Sequence, residues 1–474
     1  MARQFANLAL FLPTGTGKTA TMIRILEDEY RNVGVQSTII FCPLSVCHQW
    51  LTEFKKFSNI PAHCFKVLTG SGKDRVKSLL PLVDQKVPCI VITNYESLNM
   101  KEFYPLLLRW QPKIVIADEA HMCKNPHSKR SKNIFPLAYA AKRRFVMTGT
   151  PFVNGLEDIF GQYKILNHEI FGGNYYAWRA RYFHDVNKNM PRNKYFPDFQ
   201  PNKNTGLLFS EILARTSIQA KKEDCIDLPP LLKIKIPVEL SPAQAKAYNM
   251  MEKQFVAELN GATSIAQIAL TKSLRLRQII AGFIADTEDT EKVAWFEDSP
   301  RVQALVELLD SIGNEKVIIW TDFKPTYVLL AELMQKLGRT TTFLTGEQSS
   351  TEKTISIERF TLGDANTLIS NPAAGGTGVN LTQAPYSIYF TKSFNAGSFE
   401  QSEARNYRAG SIQHSKVVHY HLISTNTIDE VIHEVLIEKR EIGETILGWA
   451  KKLKEITLDS DKCNSYSNVK ENTL

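Results

Sequence analysis

Short runs of apolar, often β-branched residues recur along the first part of the chain: LALFL (8 to 12), TIIFC (38 to 42), CIVIT (89 to 93), IVIA (114 to 117) and RFVMT (144 to 148). Such runs read as central strands buried on both faces. Segments with helical period lie between them, among them Thr19 to Glu29 and Val46 to Phe57. This alternation predicts a parallel α/β sheet. From about Glu157 to Pro300 the pattern becomes rich in aromatics, Lys and Asn, with helices expected at 241 to 259 and 263 to 281. We read this stretch as a helical insertion plus linker. A second alternating series follows: KVIIW (316 to 320), TTFL (341 to 344), TLIS (367 to 370), SIYF (387 to 390) and VVHYHLI (417 to 423). The expected fold class is therefore α/β, with two parallel-sheet lobes and a helical insertion between them. The expected divisions are 1–160, 161–298 and 299–445, followed by a helix end and polar tail over 446–474. The last long helix is expected to open on a capping box at Thr427 to Glu430 and to run toward Lys454.

Length supports more than one unit, since 474 residues exceed what a single core accommodates. No uninterrupted apolar run approaches the roughly 20 residues needed to span a bilayer, and no cleavable leader is apparent. The expectation is a cytoplasmic or nuclear protein that is neither secreted nor membrane-bound. The seven cysteines are scattered without a C-x-x-C pair. Cys42, Cys47, His48, His63 and Cys64 have a spacing that fits no standard zinc finger, and buried thiols are the better reading. The formal net charge of +8 suits a polyanionic partner and ordinary solubility alike, so it decides nothing.

Chemistry enters with LPTGTGKT (12 to 19), which follows an expected strand and precedes an expected helix. Thr14, Gly15, Thr16 and Gly17 can turn backbone N–H groups toward phosphate oxygens, and the helix start adds its dipole. Lys18 can then neutralise β- and γ-phosphates while the Thr19 hydroxyl meets Mg²⁺. Leu12 stands where the general pattern has Gly, and a plain glycine turn is the alternative. DEAH (118 to 121) follows the expected strand IVIA, so two carboxylates emerge at a strand's C-terminal edge, where α/β sheets bind ligands. Asp118 can hold Mg²⁺ and Glu119 can orient or deprotonate an attacking water. Taken alone, these acids read equally as helix-start residues. TGTP (148 to 151) is a turn whose hydroxyls can report nucleotide state. AGGTGVN (374 to 380) is a glycine loop suited to close approach of a phosphodiester, or a flexible connection. Gln401, Arg405 and Arg408 have helical spacing and can share one face. An arginine there can neutralise a transferring γ-phosphoryl group, or simply pair with Glu400 or Glu403. The order of these motifs along the chain is what joins them into one nucleotide site.

With these residues in place, the sequence resembles helicase superfamily two, and within it the SWI/SNF-type ATPases of chromatin remodellers and DNA-repair translocases. The resemblance runs from about residue 8 to residue 440. Its specific stretches are DEAHMCKNPHSKRSK (118 to 132), MTGTPFVNGLEDIF (147 to 160) and LARTSIQAKKEDCIDLPPLLKIKIPVELSPAQAKAY (213 to 248). It implies two RecA-like lobes that hydrolyse ATP with Mg²⁺ while moving along DNA, duplex or branched and without sequence preference, as a monomer. It implies contact with one DNA strand from CPLSV through Pro43 and Ser45 and from TNYESL through Thr93, Asn94 and Tyr95. The second lobe would add Thr321, Asp322, Thr377 and Asn380. It assigns coupling of hydrolysis to movement to His121, Thr148, Thr150 and Gln401, and completion of the ATP site to Arg405 and Arg408. Three departures mark a divergent member of viral or phage type. Seven residues precede the first strand and Gln4 is too close to read adenine, which implies a truncated frame or weak base selectivity. Phe394-Asn395-Ala396 replaces Trp-Asn-Pro, and Ser411 replaces the Gln expected after the arginines. A strand-separating or branch-migrating helicase and a non-hydrolysing nucleotide switch are the alternatives.

Overall fold

The computed structural model describes residues 6–191, 197–259, 265–285, 293–373 and 379–441. Gln4, Thr377, Cys463 and the helix expected beyond 441 lie outside these residues. The chain divides into two compact units. The first holds the described residues up to His184 together with Phe199–Ile226 and residues 439–441, and the second holds Asp185–Asp198 and Asp227–Glu438. The division thus falls between residues 226 and 227, inside the stretch that reads from sequence as insertion and linker. Among the described residues no helix is long and apolar enough to cross a membrane.

The first unit runs β1 (Asn7–Phe11), α1 (Lys18–Val33), β2 (Thr38–Cys42), α2 (Cys47–Phe57), β3 (Phe65–Leu68), α3 (Gly72–Asp84), β4 (Ile90–Asn94), α4 (Phe103–Trp110), β5 (Ile114–Asp118), α5 (Lys129–Ala140) and β6 (Arg143–Thr148). It continues with α6 (Ile159–Leu166), α7 (His168–Phe171), α8 (Tyr175–Tyr182), a ribbon of β7 (Phe183–Asp185) and β8 (Phe199–Pro201), α9 (Thr205–Thr216) and β9 (Ser217–Gln219). Seven strands form a sheet in the order β3-β4-β2-β5-β6-β1-β9, and each pairing is parallel. Alternate residues of each strand serve opposite faces, which is why the runs are apolar throughout. Leu8, Leu10, Ile40, Ile92, Ile116 and Phe145 pack with Met22 and Ile23 of α1 and Trp50 and Phe54 of α2. Ala9, Phe41, Val91, Val115 and Val146 pack toward Leu79, Phe103, Ile134, Phe160, Trp178 and Phe209. The aromatic-rich segment after residue 160 is therefore part of this core. Trp178 contacts Phe160, Phe171, Phe183 and Phe209, with ring centroids 4.9 to 6.0 Å apart, and β9 extends the sheet beside β1.

The second unit runs β10 (Leu231–Val238), α10 (Pro242–Leu259), α11 (Ile265–Ala281), a ribbon of β11 (Phe283–Ala285) and β12 (Val293–Trp295), α12 (Pro300–Ile312), β13 (Val317–Trp320), α13 (Lys324–Lys336), β14 (Thr341–Leu344), α14 (Ser350–Thr361), β15 (Thr367–Ser370), β16 (Tyr386–Tyr389), α15 (Ala396–Asn406) and β17 (Val417–Ser424). A helix over 428–441, α16, follows. The sheet order is β10-β17-β16-β13-β15-β14, again wholly parallel. β10 is the strand that the sequence hides: Lys233, Lys235 and Pro237 protect an exposed sheet edge and make LLKIKIPV look like linker. Arg301, 1% exposed, ties α12 to the end of β17 and the start of α16 by donating to Ser424 Oγ at 2.9 Å, to Asp429 and to the Phe390 carbonyl. The cap of α16 is shifted from the expected box. Thr427 Oγ1 accepts from Asp429 N at 3.1 Å, and the Glu430 carboxylate accepts from Asn426 N, which has φ +55°.

One close approach decides how α6 sits. A Cβ on Gly161 would lie 2.1 Å from the Cys123 carbonyl oxygen and 2.8 Å from that of Lys124. Both are backbone atoms of the turn that follows DEAH, so neither can swing aside. Ala would gain about 1 kcal/mol in helix propensity, but overpacking against fixed backbone costs more. Gly161→Ala is expected to lower unfolding stability by about 3 kcal/mol, read as a fall in the urea midpoint. An unchanged midpoint would show that α6 does not seat on this turn.

Candidate functional site

Five adjacent strands, in the order β4-β2-β5-β6-β1, end at one edge of the first sheet. Their registers are level there: Cys42 pairs with Asn94, Phe41 with Ala117, Asp118 with Met147, and Phe11 with Thr148. TNY, CPLS, DEAH, TGT and the phosphate loop consequently leave the sheet side by side. This carboxyl edge is where parallel α/β sheets place ligands.

The phosphate loop closes on itself. Thr16 donates from its backbone N and its hydroxyl to the Pro13 carbonyl, at 3.3 and 2.7 Å. Gly15 and Gly17 take φ +88° and +90°, a conformation that glycine tolerates. Gly17 ends the loop and no side chain caps α1 behind it, so the first-turn N–H groups face outward with their dipole. Lys18 is buried and donates to the Leu12 carbonyl at 2.9 Å. A Cβ on Gly149 would meet Thr14 N at 3.3 Å, so the TGT turn packs directly on this loop.

Asp118 and Glu119 are 7% and 8% exposed, and each has protein partners. Trp50 Nε1 donates to Asp118 Oδ2 at 2.9 Å, and Tyr95 Oη donates to the Asp118 carbonyl at 2.7 Å. Burial, and after it the Glu119 charge, push the Asp118 carboxyl up to about 6, against the pull of Lys18 and Trp50. Burial also acts on Glu119, but the hydrogen bond and charge of His121, the charge of Lys18 and the Thr148 hydroxyl outweigh it and hold Glu119 below the usual carboxylate range. Glu119 has φ +53°, an uncommon left-handed conformation for a non-glycine residue. Its Oε2 accepts from Thr148 Oγ1 at 3.1 Å and lies 3.2 Å from His121 Nδ1. His121 Nδ1 lies 2.9 Å from Thr148 Oγ1, which accepts from Thr150 N at 3.1 Å. Glu119, His121, Thr148 and Thr150 thus form one connected network. The Thr150 hydroxyl is buried without a protein partner among the described residues.

These residues fit a magnesium–triphosphate group. The Thr19 hydroxyl and the Asp118 carboxylate are the hard oxygen donors that magnesium takes. Lys18, the free N–H groups of α1 and the glycine loop supply the positive lining that phosphates require.

Of the residues that the resemblance assigns to strand contact, Thr93, Asn94 and Tyr95 are 0%, 4% and 0% exposed. Arg75, itself buried, donates to Thr93 Oγ1 at 2.7 Å and Asn94 Oδ1 at 2.8 Å, while Tyr95 supports Asp118. Arg75 and Trp50 were invisible as site residues because each lies on a helix far in sequence from its partner. Pro43 is half-buried and Ser45 exposed, so CPLSV does present itself outward.

In the second unit, Thr321 is fully buried in a hydroxyl chain with Thr326 at 2.6 Å and Thr391 at 3.1 Å. Asp322 pairs with Arg277 at 2.6 Å, and burial pushes its carboxyl up to about 6. Asn380 is exposed. Gln401 and Arg405 lie on α15, but the helix ends at Asn406 and Arg408 follows it. The shared helical face therefore holds two of the three residues. Arg405 is buried, and Arg408 donates to the Val379 carbonyl at 3.4 Å.

Comparison with known proteins places this geometry. The SNF2-related domain matches residues 2–282 and the helicase conserved C-terminal domain matches residues 300–410. YwqA of Bacillus subtilis (strain 168) is 28% identical over 443 residues, which are 91% of this chain and 46% of YwqA. The chain thus spans about half the length of that relative. The protein p41 of Acyrthosiphon pisum secondary endosymbiont phage 1 is 26% identical over 92% of this chain and 94% of its own. A solved structure, the Sulfolobus solfataricus SWI2/SNF2 ATPase core in complex with dsDNA, is 24% identical, with 97% of this chain and 92% of that chain covered at a TM-score of 0.42. Because the first domain match alone extends over more than half of the chain, the protein belongs to the SNF2-related family, with a helicase C-terminal domain following.

Proposed function

We propose that this protein is an ATP-driven motor that moves along duplex DNA without separating its strands. The observation that carries this reading is the unbroken path from Glu119 through His121 and Thr148 to Thr150. It joins a buried carboxylate at the phosphate loop to a turn at the same sheet edge as CPLSV.

Lys18 exchanges the Leu12 carbonyl for the β- and γ-phosphates, and the N–H groups of α1 hold the same oxygens. Thr19 and Asp118 would hold magnesium, whose charge would neutralise those phosphates. Glu119, kept ionised, orients water for in-line attack on the γ-phosphorus and accepts its proton as the bond to the β–γ bridging oxygen breaks and ADP leaves. Its altered charge is felt by His121 and Thr148, which move the TGT turn. The resemblance assigns Arg405 and Arg408 to the γ-phosphoryl group, to which each would supply positive charge. Alternating closure and release advances the grip on one strand. Phosphate contacts dominate that grip, so it is indifferent to sequence and weakens steeply with salt.

The deciding experiment measures ATP turnover with single-stranded, duplex, forked and RNA ligands, then triplex displacement and unwinding. Strongest stimulation by duplex, with displacement and no unwinding, is expected; strand separation would replace this reading by a helicase. Glu119→Gln is expected to lower kcat by about 10³-fold with ATP binding retained, and undiminished turnover would remove Glu119 as the base. Thr148→Val keeps the side-chain volume but cuts the bridge. It is expected to reduce DNA-stimulated turnover by about tenfold while basal turnover changes less, and equal losses in both would argue against a coupling role.

A further inference from the structure

A second concave site lies on the first unit, in the layer formed by α5 to α8. These helices cover the sheet face opposite α1, the helix that begins at the phosphate loop. The cleft has a volume of about 570 Å³, within the range of small-ligand pockets. Its chemistry is unusual for a surface hollow. None of its lining residues is acidic, whereas His127, Lys132, Lys164 and His168 are all present. Two aromatic pairs border it. Tyr139 meets His168 edge-on at 4.8 Å, and His127 stacks on Tyr176 at 5.2 Å. Tyr139 and Tyr176 remain 68% and 61% exposed, so their rings add little to the core and offer faces to a ligand.

The polar groups of the wall narrow the choice of ligand. Lys164 already holds the Gly173 carbonyl at 2.9 Å, and the Asn174 side chain accepts from the backbone of Tyr176 and Ala177. Little remains there to pair with a peptide backbone. What is offered is flat ring faces beside cations, the combination that takes an unstacked base and its phosphate. A paired duplex hides its base faces and is too broad for this volume.

We propose that this cleft binds single-stranded nucleic acid, seating one or two unpaired bases on Tyr139 and Tyr176 with an adjoining phosphate at Lys132. The cleft contains none of the residues assigned to the nucleotide site, and the proposal does not depend on the motor reading above.

The test uses the full chain and fluorescence anisotropy with a labelled oligothymidylate, alone and annealed to its complement. The double substitution Tyr139→Ala, Tyr176→Ala is expected to weaken single-strand binding about tenfold or more, with duplex affinity and basal ATP turnover unchanged. Tyr139→Phe, Tyr176→Phe preserves the ring faces and is expected to retain binding. Lys132→Ala should lower the slope of log affinity against log salt by about one. Photocrosslinking of a 5-iodouracil strand should map to these aromatic residues. Unchanged single-strand affinity in the Ala variant overturns the proposal, as does equal loss of duplex affinity. Displacement of the strand by an acidic Glu/Tyr peptide that binds more tightly also overturns it, assigning the cleft to a protein partner. Duplex-stimulated turnover in the same variants separates the two readings, because failure of the motor leaves single-strand binding at the cleft intact.

Discussion

Two consecutive carboxylates, Asp118 and Glu119, are withdrawn from water at the end of a parallel strand, and the first unit is arranged to tolerate them. Burying one charge is costly without partners, and burying two like charges side by side is costlier. The protein divides the problem. Glu119 is supplied with His121, Thr148 and the nearby Lys18 and stays ionised, while Asp118, held by Trp50 and backbone, carries the raised carboxyl. Neighbouring carboxyls are thus driven in opposite directions, which is how one environment separates two titrating groups.

The support behind these groups is mechanical. Tyr95 and Trp50 come from different strand–helix connections and grip Asp118 from its backbone and side-chain ends. The backbone approach at Gly161 seats α6 on the turn that follows DEAH, and the aromatic cluster around Trp178 packs behind α6. The stretch rich in aromatic residues is thus scaffold for the site. Arg301 and Asp429 do comparable work in the second unit, where one buried ion pair fastens α12, β17 and α16.

The family resemblance assigns segments to strand contact, and the fold shows how their side chains are engaged within the protein. Thr93, Asn94 and Thr321 are polar residues at strand ends, and from sequence nothing separates an exposed hydroxyl from one committed inside. In the fold, Arg75 reaches across from α3 to occupy Thr93 and Asn94, and Thr326 and Thr391 close on Thr321. In the first unit Thr93 and Asn94 lie beneath the sheet edge, while Pro43 is half-buried and Ser45 exposed there.

The sequence by itself determined that two parallel α/β series exist, because runs such as TIIFC and VVHYHLI can be buried on both faces only in such a sheet. It also determined where the phosphate loop lies, because G-x-G-K-T between strand and helix has one demanding backbone geometry. It misjudged LLKIKIPV, whose lysines and proline guard a sheet edge, and placed Arg408 on a helix that ends before it. Only the tertiary structure decided the strand order that sets β5, β6 and β1 side by side, and with it the contact of Glu119 with His121 and Thr148. Local periodicity reports which faces of an element are buried. Which elements become neighbours depends on long-range packing, and catalytic geometry is made of neighbours.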